Sequence, residues 1–179
     1  APSSRMGEVA LLRQRLEDAR VWKAEPGKAP DLELRALRQL VDGELLIQNH
    51  CYRADEMLLR LDLFGEFGVR PRAFHHATEA YKIAAELAAA GVGAVVWADW
   101  WGIKLELFDA VPANAALLAR AGVRVALHSD SPYDVQRLNQ QAAFAMAAGR
   151  RVGLTVQPDE AIRWITANPA WILGIDEQV

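Results

Sequence analysis

Hydrophobic positions along this chain follow two periods, one typical of helices and one typical of short strands. Two helices come first, because apolar residues recur every three or four positions after Ser4 and after Asp31, which are both good helix caps. The first helix is predicted from Arg5 to about Glu25, and the loop EPGKAP follows it. Gly43 is predicted to end the second helix.

Beyond residue 43 the chain repeats one unit four times, a short apolar run followed by a helical pattern. The predicted strands are 45–49, 69–75, 92–98 and 123–127, and the predicted helices are 54–67, 79–90, about 113–121 and 135–148. Thr78 is predicted to cap the second of these helices, and two further helices begin near Pro158 and Pro169. The alternation favours an α/β fold of βαβ units with a parallel sheet, either a doubly wound open sheet or half of an eight-stranded barrel.

Composition and charge exclude several classes of protein. The chain has 179 residues, of which 52% are hydrophobic and 24% charged, as expected for one globular domain or part of a larger one. A net charge of −3 with no block of like charges predicts neither nucleic-acid nor membrane binding. The single Cys51 excludes an internal disulfide, and no glycine-rich phosphate loop follows a strand. The sequence assigns no compartment.

Polar residues with chemical potential follow each predicted strand. His50, then His75 or His76, then Asp99 and Asp130 lie at these ends. We expect them to converge, since parallel strands place their carboxyl ends on one face, which carries the active site in barrels. Two histidines and an aspartate suit a divalent metal such as Zn²⁺, and also Mn²⁺ or Fe²⁺. The alternative is a polar rim of hydrogen-bonded residues.

Further candidates lie near these ends. Arg53 either clamps a substrate carboxylate or pairs with a nearby acid, Asp55 or Glu56. His128 precedes Asp130 by two residues and is predicted to orient it. The remaining candidates are predicted either to bind substrate or to have ordinary packing and surface roles: Tyr81, Lys82, Trp97, Trp100 and Trp101. Cys51 follows a ligand candidate, but no base at a recognisable spacing would make it a nucleophile.

Six segments of the chain resemble the metal-dependent amidohydrolases, in the order expected for that superfamily. The segments are HCYRADEM, FHHATEAYKIA, WADWWGIKLELFDAVPANAALL, LHSDSP, RLNQQAA and ITANPAWILGID. The similarity is greatest to the imidazolonepropionase-like branch. It implies a (β/α)8 barrel, of which this chain supplies strands five to eight preceded by two helices. It also implies metal-dependent hydrolysis of C–N bonds in small amide or cyclic amide substrates.

The resemblance carries roles to three residues. His50 corresponds to the metal histidine that ends strand five, and His76 to the one that ends strand six. The match at strand six is the run His-Ala-Thr-Glu-Ala-Tyr-Lys from residue 76, where related sequences have His-Gly-Thr-Glu-Ala-Tyr-Lys. Asp130 corresponds to the strand-eight aspartate, which binds metal and handles the proton of the attacking water. His75 is then predicted, by strand alternation, to point away from His76 as a second-layer residue.

Other features of that superfamily are absent from the sequence. There is no His-x-His pair and no bridging residue of a fourth strand, and 179 residues fall short of the roughly 250 of a typical barrel. We therefore expect a single partial barrel, with leading helices at 1–43, four βα units at 44–150 and C-terminal helices at 151–179. Its partner would be the missing N-terminal half or a second copy, and alone it would be inactive. The alternative is a non-catalytic half-barrel that binds a ligand or a partner chain.

Overall fold

The computed structural model describes residues 2–27, 29 and 31–179, and in these residues four strands and eight α-helices follow one another along the chain. The strands are β1 (Ile47–His50), β2 (Pro71–His75), β3 (Gly93–Val96) and β4 (Val125–Leu127). The helices are α1 (Arg5–Val21), α2 (Leu32–Val41), α3 (Ala54–Gly65), α4 (Ala84–Ala90), α5 (Asn114–Arg120), α6 (Leu138–Arg151), α7 (Pro158–Arg163) and α8 (Ala167–Leu173). Short 3₁₀ turns cover Ala80–Ile83, Leu105–Leu107 and Val135–Arg137. Lys28 and Pro30 of the predicted loop lie outside the described residues.

The strands form one parallel sheet in the order β1-β2-β3-β4, so each strand pairs with the next one in the sequence. The predicted α/β class and parallel sheet are confirmed. The strands are shorter than the predicted apolar runs, and each begins one or two residues after the start of its run. Leu45 and Leu46, for example, precede the paired residues of β1 and are 45% and 50% exposed.

The two leading helices begin at the predicted caps. The Ser4 hydroxyl accepts a hydrogen bond from the Gly7 amide at 3.1 Å, and the Asp31 carboxylate accepts one from the Leu34 amide at 3.0 Å. Helix α1 ends at Val21, four residues before the predicted end. Its apolar residues pack with those of α2 and α3 in a separate small core, so α1 is fixed against the outside of the first βα unit.

Each side of the sheet is covered differently. One side, with Phe74, Val96 and Val125, packs on helices α3 to α7 in the main core, where Trp164 is fully buried. The other side presents a short apolar row that is covered by Ile172 and Trp171 of α8. Helix α8 therefore covers that face near the amino ends of the strands and leaves their carboxyl ends uncovered. Within the described residues, every helix is too short or too polar to cross a lipid bilayer.

One predicted helix start is wrong. The chain after β2 enters a 3₁₀ turn at Ala80 and becomes α-helical only at Ala84, so Thr78 caps no helix. The Thr78 hydroxyl instead donates to the carbonyl oxygen of His76 at 3.1 Å. This hydrogen bond helps to shape the loop that carries His76.

Candidate active site at the carboxyl ends of the strands

Aromatic and imidazole rings gather around His76, immediately after β2. Its ring centroid lies 4.4 Å from that of His50, 4.7 Å from that of His128 and 4.6 Å from that of Trp97. These residues come from the ends of all four strands. The sheet therefore brings His50 and His76 together although they are far apart in sequence; we call these four residues the ring cluster.

The backbone is strained at two of the predicted site residues. Among the residues that the structure describes, the non-glycine residues with positive φ are His76, at 58°, and Asp130, at 50°. A side chain in this left-handed region costs of order 1 kcal/mol or more, and such residues concentrate at functional sites. The strain falls on the two residues to which the resemblance assigns the strand-six and strand-eight ligand roles.

The loop after β2 holds His76 in this conformation. The Thr78 amide donates to the His76 carbonyl oxygen at 2.6 Å, beside the hydroxyl contact described above. From α5, the side-chain amide of Asn114 donates to the carbonyl oxygens of Ala77 and Thr78, at 3.0 and 3.1 Å. Asn114 is only 3% exposed. A buried polar residue on the neighbouring unit thus fixes the loop that aims His76.

The prediction for the orientation of His75 is wrong. His75 is the register partner of His50, and paired residues of adjacent strands project to the same side. Its Nε2 lies 2.7 Å from the Oε1 of Gln48, whose amide nitrogen donates to the Ile172 carbonyl oxygen at 2.8 Å. Strand alternation fails here because the extended strand stops at His75, and the left-handed His76 turns its ring toward His50. A second-layer role for His75 stays a prediction.

The imidazoles of His76 and His128 are neutral at pH 7. Burial, reinforced by the nearby His50, lowers the pKa of His76 to about 4, while the charge of Asp130 acts in the opposite direction. Burial and the neighbouring His76 lower the pKa of His128 to about 3. Neutral imidazole is the form that binds a metal. Asp130 itself is exposed, so its carboxylate is open to solvent and substrate.

His128 contacts rings rather than Asp130. Its ring stacks on Trp97 with centroids 4.8 Å apart and meets the edge of His76. In the described part of the chain no hydrogen bond joins His128 to Asp130, so its predicted orienting role has no direct contact behind it. His76 Nδ1, His128 Nε2 and Trp97 Nε1 are buried there without a hydrogen-bond partner, which is costly for polar atoms unless a ligand satisfies them.

The donors present fit part of a metal centre. His50 and His76 lie side by side as nitrogen donors, and the ring cluster contains unpartnered ring nitrogens. Within the described residues, however, no group of three or more His, Cys, Asp or Glu side chains is arranged to hold a metal ion. The two histidines could provide two ligands of a metal ion, and the described residues do not place a third beside them.

Two predicted substrate-binding residues are engaged elsewhere. Arg53 makes a two-pronged ion pair with the Asp55 carboxylate, at 3.0 and 3.1 Å, which confirms the salt-bridge alternative. The Tyr81 hydroxyl donates to the Asp109 carbonyl oxygen at 3.0 Å, and Lys82 pairs with the Asp109 carboxylate. Tyr81 and Lys82 thus fasten the segment after β3.

The tryptophans line a small cleft beside the ring cluster. Trp97 and Trp100 stack with centroids 4.6 Å apart, and the exposed Trp101 donates its indole N–H to the Phe108 carbonyl oxygen at 3.1 Å. The cleft of about 80 Å³ that they line also contains Asp99. The Asp99 carboxylate accepts a hydrogen bond from Gln141 and does not join the histidines, contrary to the expected convergence.

Two residues near the histidines were not singled out from the sequence. The Tyr52 ring lies 4.8 Å from the His50 ring and 5.6 Å from the His76 ring. Lys104 contacts the Tyr52 hydroxyl and lies 4.2 Å from its ring centroid. The position of Tyr52 two residues after His50 is a signal in the sequence, whereas Lys104 is brought in by the fold of its loop.

The thiol of Cys51 is buried and unreactive as a nucleophile. Burial, followed by the charge of Glu56, raises the pKa of its thiol to about 12, so the thiol is protonated at pH 7. This agrees with the expectation that Cys51 is not a nucleophile.

Comparisons with known proteins point to one class. No family model matches the sequence. The chain is 29% identical over 154 residues to the amidohydrolase tasK of Hapsidospora irregularis, an alignment covering 83% of this chain and 15% of that protein. It superimposes on the crystal structure of an amidohydrolase from Thermotoga maritima MSB8 with a TM-score of 0.85 and 28% identity, covering 98% of this chain and 47% of that one. The similarities support an amidohydrolase family. The chain spans less than half the length of either relative.

Proposed function

We propose that this chain is the strand-five to strand-eight part of a (β/α)8 barrel in an amidohydrolase of the imidazolonepropionase-like branch. The complete enzyme hydrolyses C–N bonds of amide or cyclic amide substrates with a divalent metal, Zn²⁺ or else Mn²⁺ or Fe²⁺. One observation carries the proposal. The left-handed residues His76 and Asp130 follow parallel strands at the same end of the sheet, and His76 lies against His50.

The order of the strands supports the barrel over the doubly wound sheet. In a doubly wound sheet the strand order reverses at a switch point, where the ligand binds. Here each strand neighbours its successor without reversal, as in a barrel. The proposed site also occupies the carboxyl end of the strands, where barrel enzymes have their active sites.

The proposed roles follow from the surroundings of each side chain. His50 and His76 provide ring-nitrogen donors, and Asp130 adds a carboxylate. When bound, the metal polarises the amide carbonyl and makes water more acidic. Asp130, exposed beside His76, accepts the proton of the attacking water and delivers it to the leaving nitrogen. Trp97 and His128 exclude water from the inner side of His76.

We propose that the remaining donors come from outside these residues, either from another part of a longer chain or from a second copy. The shared length with the relatives motivates this, since 98% of this chain matches 47% of the Thermotoga maritima chain. The isolated chain should then lack amide hydrolysis and should associate, because edge strand β1 has no neighbouring strand on its outer side. The outer edge of β4 is covered, since the Leu127 amide donates to the Trp164 carbonyl oxygen and the Val125 carbonyl oxygen accepts from Asn168. Sedimentation of the 179-residue chain checks this, and a compact monomer that melts cooperatively would contradict it.

The decisive experiment uses the complete gene product. His50→Ala and His76→Ala should each lower bound metal and amide hydrolysis together, because each removes one nitrogen donor. His75→Ala is the matched comparison: His75 is bonded to Gln48, so its loss should lower bound metal less than the loss of His50 or His76. Metal content by mass spectrometry and turnover of a set of small amides are the readouts. If metal and turnover both survive the His50 and His76 changes, the assignment is wrong.

A non-catalytic half-barrel that binds a partner chain is the second candidate. The observation that favours it is the apolar surface of the segment after β3, where Trp101, Ile103, Leu105 and Phe108 are 63% to 86% exposed. Metal content separates the two candidates. Tightly bound stoichiometric metal supports the hydrolase, and a metal-free complete protein without turnover supports the binding module.

A further inference from the structure

A cleft of about 330 Å³ opens beside His50 and Tyr52, and each of the three arginines that line it is paired with a carboxylate. Arg5 pairs with Glu56, and Arg60 pairs with Glu8 at 2.5 Å. Arg53, at the same cleft, is held by Asp55. These arginines are therefore poorly placed to bind an anionic ligand, because a ligand would first have to displace a carboxylate already in contact.

Lys104 differs from these arginines. Within the described residues its ammonium contacts the hydroxyl and the ring face of Tyr52 but no carboxylate. Tyr52 in turn contacts the rings of both His50 and His76. Lys104 also adds to the lowering of the His76 pKa, after the larger effects of burial and of His50. The Lys104 ammonium, which has no carboxylate partner in the described residues, therefore lies next to the tyrosine that contacts His50 and His76.

The segment that carries Lys104 is anchored on both sides of it. Trp101 is bonded to the Phe108 carbonyl oxygen, and Tyr81 and Lys82 are both bonded to Asp109. A 3₁₀ turn, Leu105–Leu107, begins directly after Lys104. These contacts limit where the ammonium can go, so its position by Tyr52 does not depend on the lysine side chain alone.

We propose that Lys104, held against Tyr52, is a specificity-determining residue that recognises a carboxylate on the substrate, next to the bond that is cleaved. The inference rests on the proposed amide hydrolysis and names the substrate class within it, an amide that bears an acidic group. An ammonium and a phenol hydroxyl offer a carboxylate one ionic and one neutral hydrogen bond. The carboxylate-binding role, which the sequence offers as one of two alternatives for Arg53, is thus assigned to Lys104.

Binding tests the inference separately from catalysis. The probes are N-benzoylglycine and its uncharged analogue N-benzoylglycinamide, titrated calorimetrically into the complete protein carrying Asp130→Asn to suppress turnover. The unmodified Lys104 site should bind the acid about fivefold or more tightly than the amide, the scale of a solvent-accessible charged contact. Raising the salt concentration should weaken this preference.

Four variants assign the preference to a residue. Lys104→Met should remove it, Lys104→Arg should retain most of it, and Arg53→Met should leave it intact because Arg53 is already paired with Asp55. Glu106→Gln should increase it, since Glu106 follows Lys104 by two residues and its carboxylate lines the cleft beside Tyr52. No preference for the acid at millimolar probe, or a preference that Lys104→Met retains and Arg53→Met removes, would overturn the inference. If the complete protein shows no amide hydrolysis but still prefers the acid in a Lys104-dependent way, the proposed reaction is refuted and the inference about Lys104 is not.

Discussion

Residues with a left-handed backbone occur at both ends of the sheet, but the residue types differ between the two ends. Before β2, β3 and β4, the left-handed positions are glycines, Gly68, Gly91 and Gly122. After β2 and β4 they are His76 and Asp130. Glycine adopts this conformation without a side-chain clash, whereas histidine and aspartate adopt it at a cost. The amino ends therefore make these turns without strain, whereas the carboxyl ends carry backbone strain of the kind that concentrates at functional sites.

Polar groups show the same contrast. At the amino ends, Arg70 donates to the Ala90 carbonyl oxygen at 2.8 Å, and Arg72 donates to the Trp171 carbonyl oxygen at 2.9 Å. The guanidinium carbons of Arg72 and Arg124 lie 3.4 and 4.3 Å from the Trp171 ring centroid, so the charges are also stacked on an aromatic face. At the carboxyl ends, the ring cluster keeps buried polar atoms without partners in the described chain. Polar groups at the amino ends are satisfied within the protein, whereas the unpartnered ring nitrogens at the carboxyl ends fit the proposed ligand site.

The largest expected effect is on catalysis at the strained end. Asp130→Asn should lower kcat of the complete enzyme by about 10²- to 10⁴-fold, the usual contribution of a general acid–base group. Stability should change by less than about 1 kcal/mol, because Asn also tolerates the left-handed conformation. Steady-state kinetics and a urea melt measure the two quantities. Asp159→Asn, on the exposed face of α7, is the control, and equal losses in both variants would remove Asp130 from the reaction.

The next effect concerns the support of His76. Asn114→Ala should destabilise the protein by about 1 to 3 kcal/mol, because two carbonyl oxygens of the loop lose a buried donor. Urea denaturation provides the free energy of unfolding. Asn139→Ala, at an exposed position of α6, should change it by less than about 0.5 kcal/mol. A similar small change for Asn114 would show that the loop does not need this anchor.

Exchanging the residues between the two ends tests the contrast itself. Gly122→Ala should destabilise the protein by about 1 to 2 kcal/mol, since φ is 90° there and an added Cβ has open space, so only conformation changes. Asp130→Gly should not destabilise it, because relief of the left-handed aspartate offsets the greater freedom of the unfolded chain. Thermal melts of both variants give the comparison. A destabilised Asp130→Gly protein would mean that Asp130 is not strained.

A separate expected effect is a pH dependence of stability in the metal-free protein. The pKa values of His76 and His128 are lowered on folding, to about 4 and about 3, so the unfolded chain binds more protons below pH 6.5. Stability should therefore be full above about pH 6.5, decline as the pH falls below 6.5, and level off once the pH is below the folded values of about 4 and about 3. Urea midpoints at pH 7 and pH 5 measure this. His128→Leu should reduce the slope, and an unchanged slope would show that His128 is not buried neutral.

The sequence predicts the order of the helices and strands well, and the orientation of the side chains at the site poorly. Apolar runs and helix caps such as Ser4 and Asp31 are local signals, so the element order and parallel sheet follow from them. The orientation of His76 depends on Thr78 and on Asn114 from another unit, and no local pattern contains that contact. The Arg53–Asp55 pair was foreseeable as an alternative because its partners are two residues apart.

The strictly consecutive pairing of the strands has a consequence for how the chain folds. Residues paired across the sheet lie only about 20 to 31 positions apart, because each strand pairs with its successor. Short separations reduce the loop-closure entropy lost in forming the sheet and favour fast folding. Each βα unit can dock on the one synthesised before it, so we expect the sheet to grow from β1 toward β4 as the chain leaves the ribosome.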